Sequence, residues 1–394
     1  MNSEVGSSRC APDKPLDRSR VRRVLLIRLR SIGDTVLMTP CLSTLKAWSP
    51  GLKIAVVSEP LAAPLLEAHP LVDDLIVTQP TIMSRTSLIA KLRLGGFDAA
   101  FNMHGGPTAA ILARLSGSRR SVGYRDLPLS WLLSDRAPSP DAILGRSRIH
   151  SVEQQLALLS WAGVELGASR ARLSLTVAPD AEARVRERLE ALGFDGLDRN
   201  VSVAFASIVP GAAFQSKTWS AEGFAAVADH LGERWNLPSV IVAGPGQEKL
   251  ARQVASTARV DTAVLTGVSL KELVAVLRMS RVFVGNDSGP MHIAAALDRP
   301  IVAVWGSSDS TVWHPWTEAP FCVVKGGGRA DGATGRRGDG ANLERDVSSI
   351  RQIRASEVTA AVDEVLELAL EANSMVGLQS QAQGAKLDAE ATRS

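Results

Sequence analysis

Cysteines are scarce in this chain, which has three among its 394 residues. Their spacing matches neither a zinc site nor a disulfide framework. Long apolar runs are missing as well, since none approaches the ~18 residues that span a bilayer. The apolar segment 24–27 is soon interrupted by Arg28 and Arg30, and polar residues precede it, so it is not a signal peptide. We therefore expect a cytoplasmic protein.

Two nucleotide-binding motifs are also missing. The turn at 28–35 holds a single glycine, Gly33, where a dinucleotide-binding fold would carry G-x-G-x-x-G. The glycine-rich segment 326–346 contains no Gly-Lys-Ser/Thr, which argues against a phosphate-binding P-loop. We interpret that segment as a flexible insertion. NAD binding at the turn and P-loop chemistry are therefore disfavoured.

Basic residues are concentrated in the first half of the chain. Residues 1–178 contain 22 Lys and Arg against 14 Asp and Glu, whereas the remainder contains 22 against 27. A basic excess of this kind favours an anionic partner or a membrane surface. For most of the individual arginines, a solvated face explains the charge equally well.

Short apolar segments alternate with amphipathic helical segments over most of the chain. This alternation predicts an α/β protein with parallel sheets in two doubly wound, Rossmann-like domains that face a central cleft. We place the domains at 21–179 and 198–372, and the first strand of the second domain at 201–206. Residues 1–20 and 373–394 are polar, and we expect disordered tails there.

The most informative motif is the segment 282–297, VFVGNDSGPMHIAAAL. It is typical of a buried strand that ends in a polar turn and continues at once as a helix. Backbone N–H groups of Ser288 and Gly289 would point out of the helix start, where the peptide dipoles favour an anion. Asp287 and His292 add a carboxylate and an imidazole. The segment predicts a site for a phosphate-bearing ligand such as a sugar nucleotide; a purely structural corner is the other interpretation.

A serine nucleophile is a competing interpretation of the same segment. Asp-Ser-Gly-Pro at 287–290 also occurs around the nucleophile of serine proteases, but those enzymes are β-barrels. The G-x-x-S-G pattern at 285–289 is one residue out of register for the nucleophile elbow of hydrolases. Ser288 is therefore not expected to act as a nucleophile.

Three further segments carry residues suited to sugar-nucleotide chemistry. Asp34 lies at a predicted helix start, where capping would be enough to explain it. Lys217 follows a glycine-containing loop and could hold a diphosphate, although a surface lysine often has no function. Glu248 begins another helix and could accept hydrogen bonds from ribose hydroxyls or merely complement the helix dipole.

Together these segments resemble glycosyltransferase family 9, the heptosyltransferases that build the lipopolysaccharide inner core from ADP-heptose. The matching pieces are R-x-x-S-I-G-D at 28–34, P-G-A with K-x-W at 210–219, G-x-x-x-E at 244–248 and N-D-S-G-x-x-H-x-A-A-A-L at 286–297. The resemblance runs from about residue 23 to 372. It implies a GT-B fold and an enzyme that needs no metal, and the lack of a D-x-D motif in a strand-end loop agrees with this.

The resemblance also implies a role for each matched residue. Asp34 would be the general base that removes the acceptor hydroxyl proton as the oxygen attacks the anomeric carbon with inversion. The leaving diphosphate would be held by Lys217 and the helix start at 288–289. The donor would contact Lys217, Glu248, Asp287, Ser288, Gly289 and His292. The acceptor side would be lined by Arg28, Ser31, Gly33, Gly105 and Gly106.

The implied partners are ADP-heptose and an anionic lipopolysaccharide-core acceptor at the inner membrane, whose cytoplasmic face the protein would reach as a peripheral protein. No cofactor, metal or nucleic acid is implied, and we expect a monomer. Acceptor choice would lie in loops around 83–85 and 105–106. The open alternatives are a transferase of another nucleotide sugar, a sugar-nucleotide epimerase of the same fold, and a non-catalytic nucleotide-sugar-binding module.

Overall fold

The chain folds into two compact units of the α/β class. The computed structural model describes residues 12, 14–194, 205–326 and 348–391. Unit 1 comprises the described residues up to 184 together with 270–275 and 309–316, and unit 2 comprises the others. None of the helices in these described ranges is both long and apolar enough to cross a membrane.

Strands and helices alternate along both units. The strands are β1 (Arg23–Ile27), β2 (Lys53–Ser58), β3 (Asp74–Val77), β4 (Ala99–Asn102), β5 (Arg120–Tyr124), β6 (Asp135–Ala137), β7 (Ala206–Val209), β8 (Ser239–Val242), β9 (Thr262–Leu265), β10 (Val282–Asn286), β11 (Ile301–Trp305) and β12 (Phe321–Lys325). The helices are α1 (Ile32–Trp48), α2 (Ile82–Arg93), α3 (Pro107–Leu115), α4 (Pro140–Leu144), α5 (Ser151–Trp161), α6 (Pro179–Glu190), α7 (Ala221–Trp235), α8 (Glu248–Thr257), α9 (Leu270–Met279), α10 (Gly289–Ala296), α11 (Ser310–Trp313), α12 (Ser348–Arg351) and α13 (Ala355–Ala391).

Each unit contains one six-stranded parallel sheet, and the two sheets have the same winding. The strand order is β3-β2-β1-β4-β5-β6 in unit 1 and β9-β8-β7-β10-β11-β12 in unit 2. Strands are added first on one side of β1 or β7 and then on the other. The winding therefore reverses between β1 and β4 and between β7 and β10, and these topological switch points are where open α/β sheets bind ligands. The predicted doubly wound α/β class is confirmed.

Apolar residues on both faces of the central strands explain why the sheets are covered on both sides. In β1, Val24 and Leu26 belong to one core cluster, while Leu25 and Ile27 belong to another. All four side chains are fully buried. Successive strand residues point to opposite faces, so a strand buried on both faces is predominantly apolar rather than alternating.

The first strand of unit 2 lies later than the predicted segment 201–206. Residues 201–204 are outside the described residues, and the strand observed is Ala206–Val209. It includes Ser207, a polar residue that the prediction left outside the strand. The Ser207 hydroxyl is fully buried and donates to the Ser280 hydroxyl at 3.1 Å, so its polarity is satisfied inside the sheet.

The chain ends also differ from the predicted tails. Most of segment 1–20 lies outside the described residues, but Leu16 is buried in unit 1 and its N–H donates to the Ala162 carbonyl at 2.7 Å. At the other end, α13 continues to Ala391, well past the predicted domain end at 372. Apart from Gly326, the predicted insertion 326–346 lies outside the described residues.

Candidate functional site

A buried ion pair between Arg28 and Asp34 occupies the switch point of unit 1. Arg28 directly follows β1, and its Nη2 contacts Oδ2 of Asp34. Its Nη1 donates to the carbonyl of Met103, the residue after β4. The guanidinium therefore joins the ends of the two strands that flank the switch point to the first turn of α1.

The two partners of this pair differ in exposure. The Arg28 side chain is 7% exposed, whereas the Asp34 side chain is 24% exposed. Burial lowers the pKa of Arg28 to about 9, so the guanidinium remains protonated at neutral pH. The placement of Arg28 on the acceptor side stays a prediction; the structure shows it as the more buried partner of the Asp34 carboxylate. Asp34 is the group that this pair presents to solvent.

The start of α1 places Asp34 in this position. Ser31, not Asp34, is the N-cap residue, since its hydroxyl accepts from the Asp34 N–H at 3.4 Å. Capping therefore does not explain Asp34. The backbone of Ser31 has a φ of +75°, which is uncommon for a residue other than glycine and is typical of functional sites. Gly33 is buried in the same turn.

The segment after β4 forms the other side of this switch point. The Asn102 Oδ1 atom accepts from the Gly105 N–H at 2.9 Å, and Gly105 has a φ of +81° that a side chain would disfavour. Gly106 precedes the first turn of α3. Between them and the strand lies His104, whose pKa is lowered to about 4 by burial and by the positive charges of nearby arginines. His104 is therefore neutral at physiological pH.

A second ion pair at this edge, between Glu59 and Arg85, was not predicted from the sequence. Glu59 follows β2 and forms an ion pair with Arg85 of α2, and both side chains are largely buried. Arg85 is one of the arginines that lower the His104 pKa, with Arg28 and Arg30. Position is their only sequence signal, because Glu59 directly follows β2 and His104 comes shortly after β4. The partner that gives each of them its chemistry is distant in the chain.

An ion pair of opposite arrangement occupies the switch point of unit 2. Asp287 directly follows β10, and its Oδ2 lies 2.5 Å from Nζ of Lys217. Here the Asp287 side chain is the more buried partner at 5% exposure, and the Lys217 side chain is 17% exposed. The hydroxyl of Ser308, which comes shortly after β11, donates to the same carboxylate oxygen. Ser308 had no recognisable motif in the sequence.

The loop that carries Lys217 is held in place by Asn286. This side chain is fully buried; its Nδ2 donates to the Pro210 carbonyl at 2.7 Å, and its Oδ1 accepts from the Trp219 N–H at 3.1 Å. The Trp219 indole N–H donates to the Ile353 carbonyl at 3.1 Å. Both ends of loop 210–219 are thus attached to β10, the strand that positions Asp287.

The helix start predicted to bind an anion is present directly after Asp287. The helix α10 begins at Gly289, and no side chain caps its N–H groups. The Ser288 hydroxyl donates to the Asn286 carbonyl at 3.2 Å, and His292 is buried one turn into the helix. An uncapped N-terminus of this kind offers N–H groups and positive dipole charge to a ligand.

Glu248 lies on the neighbouring strand-to-helix corner. It is the first residue of α8, and its Oε1 accepts from the Gly246 N–H at 3.2 Å. The adjacent Gln247 donates to the Ala212 carbonyl at 3.3 Å. A side chain at Gly211 would collide with Gln247, since a Cβ there would lie 1.9 Å from its Oε1. The corner carrying Glu248 therefore packs directly on loop 210–219.

The predicted residues are thus brought together in two groups, one at each switch point. The unit 1 group can supply a carboxylate and the unit 2 group an ammonium charge, a helix start and a second carboxylate. Within the described residues, no set of three or more His, Cys, Asp and Glu side chains is placed to hold a metal ion. The predicted cleft between the domains and the metal independence stay predictions.

Comparison with known proteins gives consistent matches. A sequence model described as glycosyltransferase family 9 (heptosyltransferase) matches residues 85–330. Lipopolysaccharide heptosyltransferase 3 of Escherichia coli K12 is 30% identical over 305 residues, which cover 74% of this chain and 84% of that protein.

Solved structures share the fold. The glycosyl transferase family 9 protein of Veillonella parvula superposes with a TM-score of 0.74 at 22% identity and covers 90% of this chain and 98% of its own. The E. coli ADP-heptose lipopolysaccharide heptosyltransferase II has a TM-score of 0.69 at 22% identity, with coverage of 87% and 98%. The similarity extends over nearly the whole of both proteins.

The low pKa of His104 predicts that the free energy of unfolding depends on pH. In the unfolded chain, this histidine returns to a pKa of about 6.5, so between pH 6.5 and 4 the unfolded state binds more protons than the folded state. The free energy of unfolding therefore falls as the pH falls through this window. Urea titrations at pH 7 and pH 4.5 should show a loss that is smaller in His104→Gln than in the wild type by on the order of 1 kcal/mol, allowing for partial exposure. An identical pH dependence in both proteins would contradict the assignment.

Proposed function

The chain belongs to glycosyltransferase family 9, the heptosyltransferase family, and on that premise we propose that it transfers heptose from ADP-heptose to an acceptor of the lipopolysaccharide inner core. The transfer inverts the anomeric centre and uses no metal ion. The names of its relatives support the donor and the acceptor, since one is a lipopolysaccharide heptosyltransferase and another uses ADP-heptose. An acceptor of this kind would bring the protein, as a monomer, to the cytoplasmic face of the inner membrane.

The observation that carries this proposal is that the two ion pairs bury opposite partners, the cation in unit 1 and the carboxylate in unit 2. Unit 1 buries a cation and presents the carboxylate of Asp34, as a general base requires. Unit 2 buries a carboxylate and presents the ammonium group of Lys217 beside an uncapped helix start, as a diphosphate requires. A single nucleotide-binding module would need only the second arrangement.

In the proposed reaction, Asp34 accepts the proton of the acceptor hydroxyl while that oxygen forms a bond to the anomeric carbon. The bond from this carbon to the diphosphate oxygen breaks, and ADP leaves with the electron pair. Arg28 contacts Oδ2 of Asp34, and we assign the proton to the other oxygen, Oδ1. Lys217 and the N–H groups of Ser288 and Gly289 balance the charge that develops on the leaving diphosphate.

The other donor residues have supporting roles. Asp287 orients Lys217 through their ion pair. Glu248, at the corner beside loop 210–219, would accept hydrogen bonds from the ribose hydroxyls. His292, buried one turn into α10, would contact the donor from there. On the acceptor side, Ser31 and Gly33 shape the turn before Asp34, and the segment 104–106 closes the opposite side of the switch point.

Replacing the base tests the proposal directly. Asp34→Asn keeps the shape of the side chain but cannot take the proton, so kcat for ADP release from ADP-heptose with a core acceptor should fall by about 10²–10⁴-fold. Asp261→Asn, at an exposed carboxylate directly before β9 and so at the sheet edge opposite to the switch points, is the matched control and should retain activity. Full activity of Asp34→Asn would exclude Asp34 as the base.

A panel with UDP- and GDP-sugars identifies the donor, and activity in excess EDTA checks the metal independence.

The Arg28 pair predicts the pH profile of the reaction. A nearby guanidinium holds a carboxylate in its charged form, so its loss should raise the apparent pKa of the base. In Arg28→Met, the acidic limb of the kcat/KM profile should move to higher pH by about one unit or more. Arg28→Lys keeps the charge and should leave the limb near its wild-type position. If the limb is the same in both variants, Arg28 does not act through Asp34.

Lys217 should be needed for the diphosphate. Removing its charge in Lys217→Met takes away one charge-assisted contact, so ADP affinity measured by calorimetry should fall by about tenfold or more. The variant also leaves Asp287 buried without its cation. The double variant Lys217→Met with Asp287→Asn removes that unpaired charge and separates poor folding from poor binding. Unchanged ADP affinity in both variants would exclude the phosphate role.

A further inference from the structure

Unit 1 contains a cavity of about 460 Å³ whose residues none of the roles above uses. His150 and Trp316 form its floor and are 2% and 9% exposed. Three arginines, Arg146, Arg148 and Arg170, surround it and are exposed to solvent. The size is in the range of pockets that bind small molecules.

The floor of the cavity is held by hydrogen bonds and ring stacking. The Nδ1 atom of His150 accepts from the Val152 N–H at 3.2 Å, so its Nε2 carries the hydrogen and donates to the His314 carbonyl at 3.0 Å. The His150 ring stacks on Trp316 with ring centroids 4.7 Å apart. The indole N–H of Trp316 donates to the Ala171 carbonyl at 2.8 Å. This floor is therefore rigid and already formed.

The rim carries uncompensated positive charge. Arg146 forms an ion pair with Glu153 at 2.5 Å, which neutralises it. Arg148 and Arg170 have no carboxylate partner within 4 Å among the residues that the structure describes. Two unpaired guanidinium groups at one cavity match the charge of a dianion and the geometry of a phosphate.

Both of these arginines are constrained. The Arg170 guanidinium carbon lies 3.8 Å from the centre of the Trp316 ring, a cation–π contact that restrains this side chain. Arg148 has a φ of +58°, a left-handed backbone conformation that is uncommon for residues other than glycine. Less ordering entropy is then lost when an anion binds.

We propose that this cavity binds the dianion of a phosphate monoester, and that the acceptor saccharide supplies it. The second half of this inference rests on the proposed function. The location supports it, because Gln155 of α5 donates to the Leu37 carbonyl of α1 at 3.2 Å. His150 and Asp34 each lie within about one and a half helical turns of that contact. An acceptor sugar can therefore present a hydroxyl near Asp34 while its phosphate substituent occupies the cavity.

Calorimetry tests the binding site without any need for turnover. Inorganic phosphate and glucose 6-phosphate are titrated into the full chain in the presence of saturating ADP, which occupies the diphosphate site. The double variant Arg148→Gln, Arg170→Gln should raise the Kd of both ligands by at least about tenfold. The control removes the same charge at two exposed arginines elsewhere in unit 1, Arg114→Gln and Arg136→Gln, and should bind as the wild type does. Absent binding to the wild type, or equal weakening in both double variants, overturns the proposal.

Kinetics then distinguish the source of the phosphate. With a phosphorylated core acceptor, Arg148→Gln, Arg170→Gln should raise the acceptor KM by about tenfold while kcat and the KM for ADP-heptose stay unchanged. With the same acceptor after phosphatase treatment, the variant and wild type should have equal KM values. If free phosphate instead alters the rate with both acceptors, the cavity binds phosphate as an effector, and the acceptor half of the proposal is wrong. If no transferase activity is found at all, the proposed function fails while the calorimetric result still decides the phosphate site.

Discussion

The ion pair between Arg28 and Asp34 is the interaction around which the unit 1 site is organised. A guanidinium buried to this degree is tolerated only when it is paired and hydrogen-bonded, because a buried charge left alone costs several kcal/mol. Arg28 meets that requirement with the Asp34 carboxylate in the first turn of α1 and with the Met103 carbonyl after β4. Its charge also helps to keep His104 neutral. Arg28 thus contributes both to the position of Asp34 and to the neutral state of His104.

In unit 2, a neutral amide holds the loop in position, and a separate ion pair holds the charged group. Asn286 attaches both ends of loop 210–219 to β10, while the next residue, Asp287, holds the Lys217 ammonium group. An amide can donate and accept at once, so it joins two backbone groups without introducing charge. Loop position and loop charge are therefore controlled by separate residues.

Local pattern was sufficient to predict the fold class and the corners that carry the candidate residues. Buried parallel strands are predominantly apolar, and the segment 282–297 shows strand, turn and helix in one uninterrupted pattern. The prediction was wrong where a polar residue is satisfied by a distant partner, as Ser207 is by Ser280 inside β7. Short elements such as β6, with three residues, carry too little pattern to be recognised.

The site was predictable only at the level of single residues. Asp34, Lys217 and Asp287 could be named from their motifs, but their pairing and the difference in exposure within each pair come from contacts between segments far apart in the chain. Ser31 illustrates the limit, because the sequence could not tell which residue of the turn caps α1. The roles in catalysis stay proposals that the substitutions above address.

The contact between Lys217 and Asp287 has a consequence for the end of a catalytic cycle. Any anion that reaches this lysine has to share it with a carboxylate that is attached permanently at an adjacent position and is itself held by Ser308. Asp287 therefore behaves as an internal competitor. In the proposed reaction, Asp287 would weaken the binding of the departing diphosphate and would pair with the ammonium group again once that product has left.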